Sequence, residues 1–350
     1  MRRLPIYFLI DISESMVGEP IQQVEEGMAN IIKAIKADPY AIETVWISII
    51  VFAGQAKTLV PLQEVVSFYP PKFPVGGGTS LSKALGHLMF DLRKNIIRTT
   101  AEQKGDWKSI VFLFTDGVPT DDTTAAIKEW KQNWQKTANM VAVSFGDDTN
   151  LQILSELTEN VLQFRNSSGE DYKKFFKWVT DSIKTSSVSV ENNQSGFGMA
   201  AIDGDIISKI ELKKHPVIKQ FVDSNFVVLS AKCQNTKRPY LMKYRKVLNP
   251  TAVAGLDFQT LSYRLVGAFQ VNDSYTEFSD DAAIQAKVNT SELVGTPSCP
   301  CCGNQFAFAV CQCEKIHCIG EEEESTCPWC GKKGQYGFGE GGFDVNRAQG

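Results

Sequence analysis

The sequence predicts an α/β fold, a doubly wound and mostly parallel sheet, followed by a small β-rich domain and a zinc-ribbon-like domain. Three observations carry that expectation. Short apolar runs alternate with amphipathic helical stretches from residue 4 to about 190, the texture then changes to strands and turns, and eight of the nine cysteines crowd between Cys299 and Cys330. At 350 residues the chain exceeds one typical domain, so boundaries have to be found before folds.

The runs LPIYFLIDI, VWISIIVFA, SIVFLFTDG and MVAVSFGDD are rich in β-branched and aromatic residues, as strands buried on both faces require. Residues 21–37, 80–98, 122–138, 151–160 and 170–185 place apolar side chains at helical spacing. Strand and helix in strict alternation build a parallel sheet with helices on both faces. KTLVPLQEVV contains Pro61, which lacks the donor a central strand needs, and so suits an edge. Together these define a first domain over 1–190. SVSVENNQSGFG reads as a polar linker into a β-rich middle domain, 191–296, whose strands are FVVLSAKC, RPYLMKYRKVL, YRLVGAFQVND and IQAKVNTSEL. Its basic run, Lys237, Arg238, Lys243, Arg245 and Lys246, reads as a solvated face without a function. A cysteine-rich unit follows at 297–333, and the Gly-rich end, 334–350, reads as a flexible tail.

Composition excludes several classes. Hydrophobic residues at 43% and charged residues at 22% are those of a folded chain rather than a disordered one. With 36 Lys+Arg against 40 Asp+Glu the net charge is -4, so the whole molecule has no long-range attraction for nucleic acid or anionic lipid. The apolar stretch Leu4 to Ile10 contains Pro5 and runs into Asp11 without a small-residue cleavage site, which favours a buried strand over a signal peptide. No window of 18 apolar residues is present to span a bilayer. The expected location is cytoplasmic.

The chemistry concentrates in two constellations. Asp11, Ser13 and Ser15 (D-I-S-E-S) follow the first buried strand, Asp116 follows another in FLFTDG, and Thr79 follows Gly76 to Gly78 at the start of a helix. Ligands of open α/β sheets bind outside the carboxyl ends of the strands, where these residues fall. Singly, each has a plain structural role, since Asp and Ser cap helices and Asp-Gly makes turns. Together, two carboxylates and three hydroxyls are an all-oxygen set for a hard divalent cation, Mg²⁺ above all, with one coordination position facing solvent. D-x-S-x-S, the Thr after a Gly-rich loop and T-D-G resemble the metal-ion-dependent adhesion site of von Willebrand factor A domains over roughly residues 1 to 190. That resemblance implies a Rossmann-like fold with Ser13, Ser15 and Thr79 as direct ligands and Asp11 and Asp116 direct or through water.

A phosphoryl-accepting Asp11 is the enzymatic alternative, but the position two beyond it carries Ser13 where haloacid-dehalogenase-like phosphatases carry an acid/base carboxylate. No G-x-x-x-x-G-K-[ST] or G-x-S-x-G is present, and His87 and His215 read as structural.

The second constellation is C-P-C-C-G (299–303) and C-P-W-C-G (327–331), two C-x2-C knuckles whose Gly303 and Gly331 give the backbone the freedom a metal knuckle needs. Between them stand Cys311, Cys313 and Cys318. Seven thiols, Cys299, Cys302, Cys311, Cys313, Cys318, Cys327 and Cys330, with His317 as an eighth ligand, suffice for two tetrahedral Zn²⁺ ions; Cys301 is the spare. One zinc with unused thiols is the alternative, and sequential and crossed pairings both stay open.

An A domain followed by F-A-V-C-x-C and T-C-P-W-C-G is similar to the TerY family of bacterial tellurite-resistance and stress-response proteins. The resemblance implies a noncatalytic adaptor working with a Ser/Thr kinase and a PP2C-type phosphatase as a phosphorylation triad. A zinc-ribbon nucleic-acid binder is the runner-up, opposed by the acidic tract Glu321 to Glu324, and a metal-dependent phosphatase the third reading.

Overall fold

The computed structural model describes residues 2–116, 118–145, 151–164, 169–191, 199–201, 207–209, 222–253, 256–280, 286–322, 324–337 and 341–348. β1 (Leu4–Asp11) is buried along its whole length, and its alternating side chains supply two separate cores. Leu4, Ile6, Phe8 and Ile10 pack on one face with Val24, Met28, Phe175 and Val179, while Tyr7 and Leu9 pack on the other with Leu85, Leu88, Trp130 and Leu154. The period-2 geometry of a strand turns a continuous apolar run into a sheet covered on both sides.

The helices that cover it are α1 (Glu19–Lys36), α2 (Pro39–Thr44), α3 (Leu81–Asn95), α4 (Thr124–Asn133), α5 (Leu151–Leu157) and α6 (Gly169–Glu191). The strands after β1 are β2 (Val45–Phe52), β3 (Ala56–Glu64), β4 (Ser109–Thr115), β5 (Ala138–Phe145), β6 (Val161–Phe164) and β7 (Ile207–Lys209). Their order is β3-β2-β1-β4-β5-β6-β7. β3 and β7 pair antiparallel at the two edges and all inner pairs are parallel. Pro61 does lie on an edge strand. No helix among the described residues is long and apolar enough to cross a membrane.

The first body does not end at 190. α6 continues to Glu191, Ala200 N donates to Ser182 Oγ (3.0 Å), and β7 adds a strand to the first sheet. Residues 192–198 of the expected linker lie outside the described residues, as does His215.

The remaining elements are β8 (Phe226–Lys232), β9 (Pro239–Val253), β10 (Leu256–Gln270), α7 (Tyr275–Phe278), β11 (Ala286–Asn289), β12 (Leu293–Val294), β13 (Phe306–Val310), β14 (Ile316–Ile319), β15 (Glu324–Thr326), β16 (Lys333–Gln335) and β17 (Asp344–Arg347). A second sheet runs β12-β10-β9-β8-β14-β13. The boundary expected at 296/297 therefore does not divide the structure, because β14 pairs with β8 and one core holds Tyr240, Met242, Cys299 and Cys318. The expected flexible tail is likewise tied down: β17 pairs with β11, Val345 and Val288 share that core, and Ala348 N donates to Val228 O (2.8 Å).

α1 and α6 touch closely at Gly27, where an added Cβ would lie 2.1 Å from the ring of Phe176. Gly27→Ala forces apart two helices that cover one face of the sheet, and overpacking of this kind costs about 1–3 kcal/mol. Urea unfolding should show a lower midpoint at unchanged slope, with the cysteine-rich end retaining its metal.

Candidate metal centres

The first centre lies where β1, β4 and the loop before α3 end together. Asp11 Oδ1 accepts from Ser13 N (2.9 Å) and Oδ2 from Thr115 Oγ1 (2.6 Å), which locks the carboxylate at the strand end. Ser13 Oγ and Ser15 Oγ stand 2.9 Å apart, and Ser15 Oγ donates to Asp116 Oδ1 (2.7 Å). Adjacent oxygens of a Mg²⁺ octahedron, with bonds of about 2.0–2.1 Å, are separated by about 2.9 Å. The two serine oxygens already have that spacing.

Thr79 enters from the third side, held by its backbone: its N–H donates to Thr120 Oγ1 and its carbonyl accepts from Thr120 N, both at 2.9 Å. Its own Oγ1 is buried and has no hydrogen-bond partner among the described residues. An orphaned buried hydroxyl costs about 1–3 kcal/mol, and a cation between the serines and Thr79 satisfies it. The five side chains thus fit the all-oxygen ion. Burial pushes the carboxyls of Asp11 and Asp116 upward, with the charge of Asp223 adding to the first and that of Asp11 to the second, the direction a nearby cation relieves.

The expected solvent-facing position is where the structure differs. Asp11, Ser13 and Ser15 are 0% exposed and Thr79 1%, with only Asp116 half-buried. The cover comes from the second sheet. Lys243 Nζ donates to Ser15 O and to Val17 O (3.3 Å), and Asp223, 1% exposed, lies within electrostatic reach of Asp116 and Asp11. Lys243 is 3% exposed, so it is no part of a solvated basic face; β9 places it over the first loop while its chain neighbours Arg245 and Lys246 stay partly or fully exposed. α7 completes the cover: Tyr275 OH donates to Glu14 Oε1, and Gly77 N donates to Ser279 Oγ (2.9 Å).

The cysteines form two further centres. Cys233, Cys299, Cys302 and Cys318 bring their sulfurs within 4.8 Å of one another, and so do Cys311, Cys313, Cys327 and Cys330. Sulfur pairs 302–318, 311–330, 313–327 and 233–318 stand 3.8, 3.7, 3.8 and 3.9 Å apart. A tetrahedral ion with Zn–S of about 2.3 Å separates its sulfurs by about 3.8 Å, whereas a disulfide holds them at about 2.05 Å. All nine cysteines are free. Along the chain the two quartets interleave, Cys318 of the first falling between Cys313 and Cys327 of the second, so the pairing is crossed.

Cys233 is the ligand candidate that sequence reasoning missed, and His317 the one it should not have included. Cys233 lies in a knuckle of its own. Cys233 N donates to Arg238 O (2.8 Å) and Lys237 N to Cys233 O (3.0 Å); Cys299 with Asn304 and Gly303, and Cys327 with Lys332 and Gly331, repeat that pattern at 2.8–2.9 Å. Lys237 (φ 62°), Gly303 (φ 79°) and Gly331 (φ 74°) take the same left-handed position. The signal was C-Q-N-T-K, a cysteine at a strand end followed by turn residues, obscured because Lys stands where the other knuckles have Gly. His317 is turned away from both quartets. Its Nδ1–H donates to Cys318 O (2.9 Å), so Nε2 carries the lone pair, and Tyr336 OH occupies it at 2.8 Å. Burial lowers its pKa and keeps the ring neutral. Cys301 also stands outside both quartets.

Two outcomes follow. Cys233→Ser should lower the metal content of purified, zinc-supplemented protein from two ions to one by native mass spectrometry, whereas His317→Ala should leave two. Burial also raises the Asp223 carboxyl to about 6. A group raised in the folded state stabilises fully below its unfolded pKa and loses that contribution as pH rises through the folded value. Without added Mg²⁺ the zinc-loaded protein should therefore lose stability between about pH 4 and 6 through Asp223. Added Mg²⁺ should raise the melting temperature more at pH 7.5 than at pH 5, and scanning calorimetry of Asp116→Ala should show no such difference.

Two family models match the chain. Residues 6–178 match the von Willebrand factor type A domain, and residues 223–350 match the TerY-C metal binding domain. A stretch of 168 residues, 44% of this chain, is 26% identical to part of inter-alpha-trypsin inhibitor heavy chain H1 of Bos taurus, and spans 17% of that protein's length. Among solved structures, proximal thread matrix protein 1 from the mussel byssus with a zinc-occupied MIDAS motif is 18% identical (TM-score 0.38) over 53% of this chain and 46% of its own. The ArnB paralog VWA2 from Sulfolobus acidocaldarius is 12% identical (TM-score 0.39) over 77% of this chain and 66% of its own. With a von Willebrand factor type A domain followed by a TerY-C metal binding domain, the chain belongs to the TerY family.

Proposed function

We propose that the chain is a noncatalytic adaptor that binds acidic groups of partner proteins through a divalent cation held by Asp11, Ser13, Ser15, Thr79 and Asp116. The observations that carry this reading are the orphaned, buried Thr79 hydroxyl and the two serine hydroxyls at octahedral spacing. When bound, the ion supplies an electrophilic coordination position for a carboxylate. Mg²⁺ suits this oxygen set, and Zn²⁺ suits the two thiol quartets, which hold together a β-domain with a modest apolar core.

Catalysis is disfavoured by what surrounds Asp11. Ser13 replaces the acid/base carboxylate a phosphatase needs, and its hydroxyl is engaged with Ser15. His87 pairs with Thr58 (2.7 Å) on β3 rather than with a nucleophile at the strand ends. The nucleic-acid reading is disfavoured by the acidic run at Glu321, Glu322 and Glu324 beside the cysteine quartets. Membership of a cytoplasmic, bacterial tellurite-resistance or stress-response module, with a Ser/Thr kinase and a PP2C-type phosphatase as partners, is the finer form of the proposal. The domain pairing and the free thiols, which a reducing compartment preserves, support it.

The test is capture of the kinase or phosphatase encoded with this chain, with and without Mg²⁺, by the unsubstituted protein and by Thr79→Ala. Omitting Mg²⁺ or removing the Thr79 hydroxyl should each lower capture at least about tenfold, as loss of metal-supporting groups typically does. Equal capture in all four conditions would show that another surface does the docking.

A further inference from the structure

We infer that the TerY-C domain supplies its own carboxylate, Asp223, to the adhesion-site cation, so that the chain carries an internal ligand in the position a partner's acidic residue would take. The inference rests on the adhesion-site reading above and adds how the site is regulated.

Four observations converge on Asp223. Its carboxylate is 1% exposed, and while Oδ1 accepts from Asn225 N (2.7 Å), Oδ2 has no hydrogen-bond partner among the described residues. A carboxylate oxygen buried without a donor is costly, and carboxylates so placed are paired or coordinate metals. Asp223 is within electrostatic reach of Asp116 and Asp11, two of the proposed ligands, and of Lys243, whose Nζ donates to the carbonyl of Ser15, a third. Thr79 Oγ1, another of the proposed ligands, is also orphaned.

The charge count points the same way. Asp11, Glu14, Asp116 and Asp223 against Lys243 and Arg347, which itself lies beside Asp223, leave a formal charge of −2 with every group ionised. One divalent cation cancels that charge. Lys243 alone does not, and its Nζ is already committed to the carbonyls of Ser15 and Val17.

The contact is built for close approach. A Cβ at Gly54 would lie 2.2 Å from Asp280 N, and one at Gly76 2.5 Å from Phe278 Cβ. Gln55 N donates to Phe278 O (3.0 Å), and Val17 packs in one cluster with Val228, Leu241 and Val271. The TerY-C domain is thus seated on the metal face itself. A tethered carboxylate acts at an effective concentration on the order of mM, so stray acidic groups are excluded and a partner has to displace the domain.

The experiment titrates Mn²⁺, a paramagnetic stand-in for Mg²⁺, into zinc-loaded full-length protein and follows free and bound ion by electron paramagnetic resonance. Asp223→Asn keeps the shape and the Asn225 contact, and far-UV dichroism with zinc content verifies its fold; Asp223→Ala is the second variant. Each should weaken Mn²⁺ binding at least about tenfold, because affinity for hard cations follows the ligand charge count. In hydrogen exchange, Mn²⁺ should slow amides of 14–18 and 226–245 together in the unsubstituted chain and only those of 14–18 in the variants. Unchanged affinity in both Asp223 variants, with Asp116→Ala losing the ion, would overturn the internal ligand while leaving the adhesion site intact. No measurable Mn²⁺ binding by the unsubstituted chain would overturn the adhesion site and the internal ligand with it.

Discussion

A buried ammonium sits where the two domains meet. Lys243 is 3% exposed, and an isolated charge so far from water would cost several kcal/mol after relaxation. Its burial is tolerable because the carbonyls of Ser15 and Val17 accept its protons, the ring of Phe226 lies 4.5 Å away, and the carboxylates of Asp116 and Asp223 surround it. Those partners come from both domains, so the position of one domain on the other is specified by charge as well as by shape. Separating them leaves a lysine well solvated but strips the loop carbonyls of their donor.

The second constraint is covalent order. Three knuckles of closely similar geometry arise at Cys233, Cys299 and Cys327, a shorter turn stands at Cys311, and the quartet of Cys233, Cys299, Cys302 and Cys318 adds to the pairing of β8 with β14. A small sheet with a modest apolar core gains from ions that clamp distant segments, because each clamp removes conformational freedom from the unfolded chain. That explains why a left-handed backbone is tolerated at Lys237 and Glu314, where a non-glycine residue costs about 1–2 kcal/mol.

What could be read from the sequence follows from the range of the interactions involved. The first sheet was legible because buried parallel strands write themselves as apolar runs, and the five candidate oxygen donors were legible as a group because each sits at a strand or helix end. The second sheet was legible as strands but not as one body, since the pairing of Ile316 with Ala231 leaves no local trace. Cys233 was hidden by sequence distance, and His317 was included because a histidine beside cysteines has ligand chemistry whichever way its ring turns. Lys243 was misread for a related reason: alternation along a strand says which residues share a face, not what covers that face. Gly76, in the Gly-rich loop before Thr79, faces Phe278 so closely that its small size is what the contact uses.

The order in which the chain is made gives the buried pocket a history. Asp11, Ser15, Thr79 and Asp116 all precede the TerY-C domain, and an N-terminal domain folds as a unit while the ribosome is still adding residues at about 5–20 per second. β9, which carries Lys243, emerges on the order of ten seconds after β4, and the last quartet cysteine later still. For that interval the carboxylates stand open to water and to whatever ions it carries. The closed arrangement is therefore the second state each newly made molecule occupies, and an open first state is visited at least once in the life of every copy.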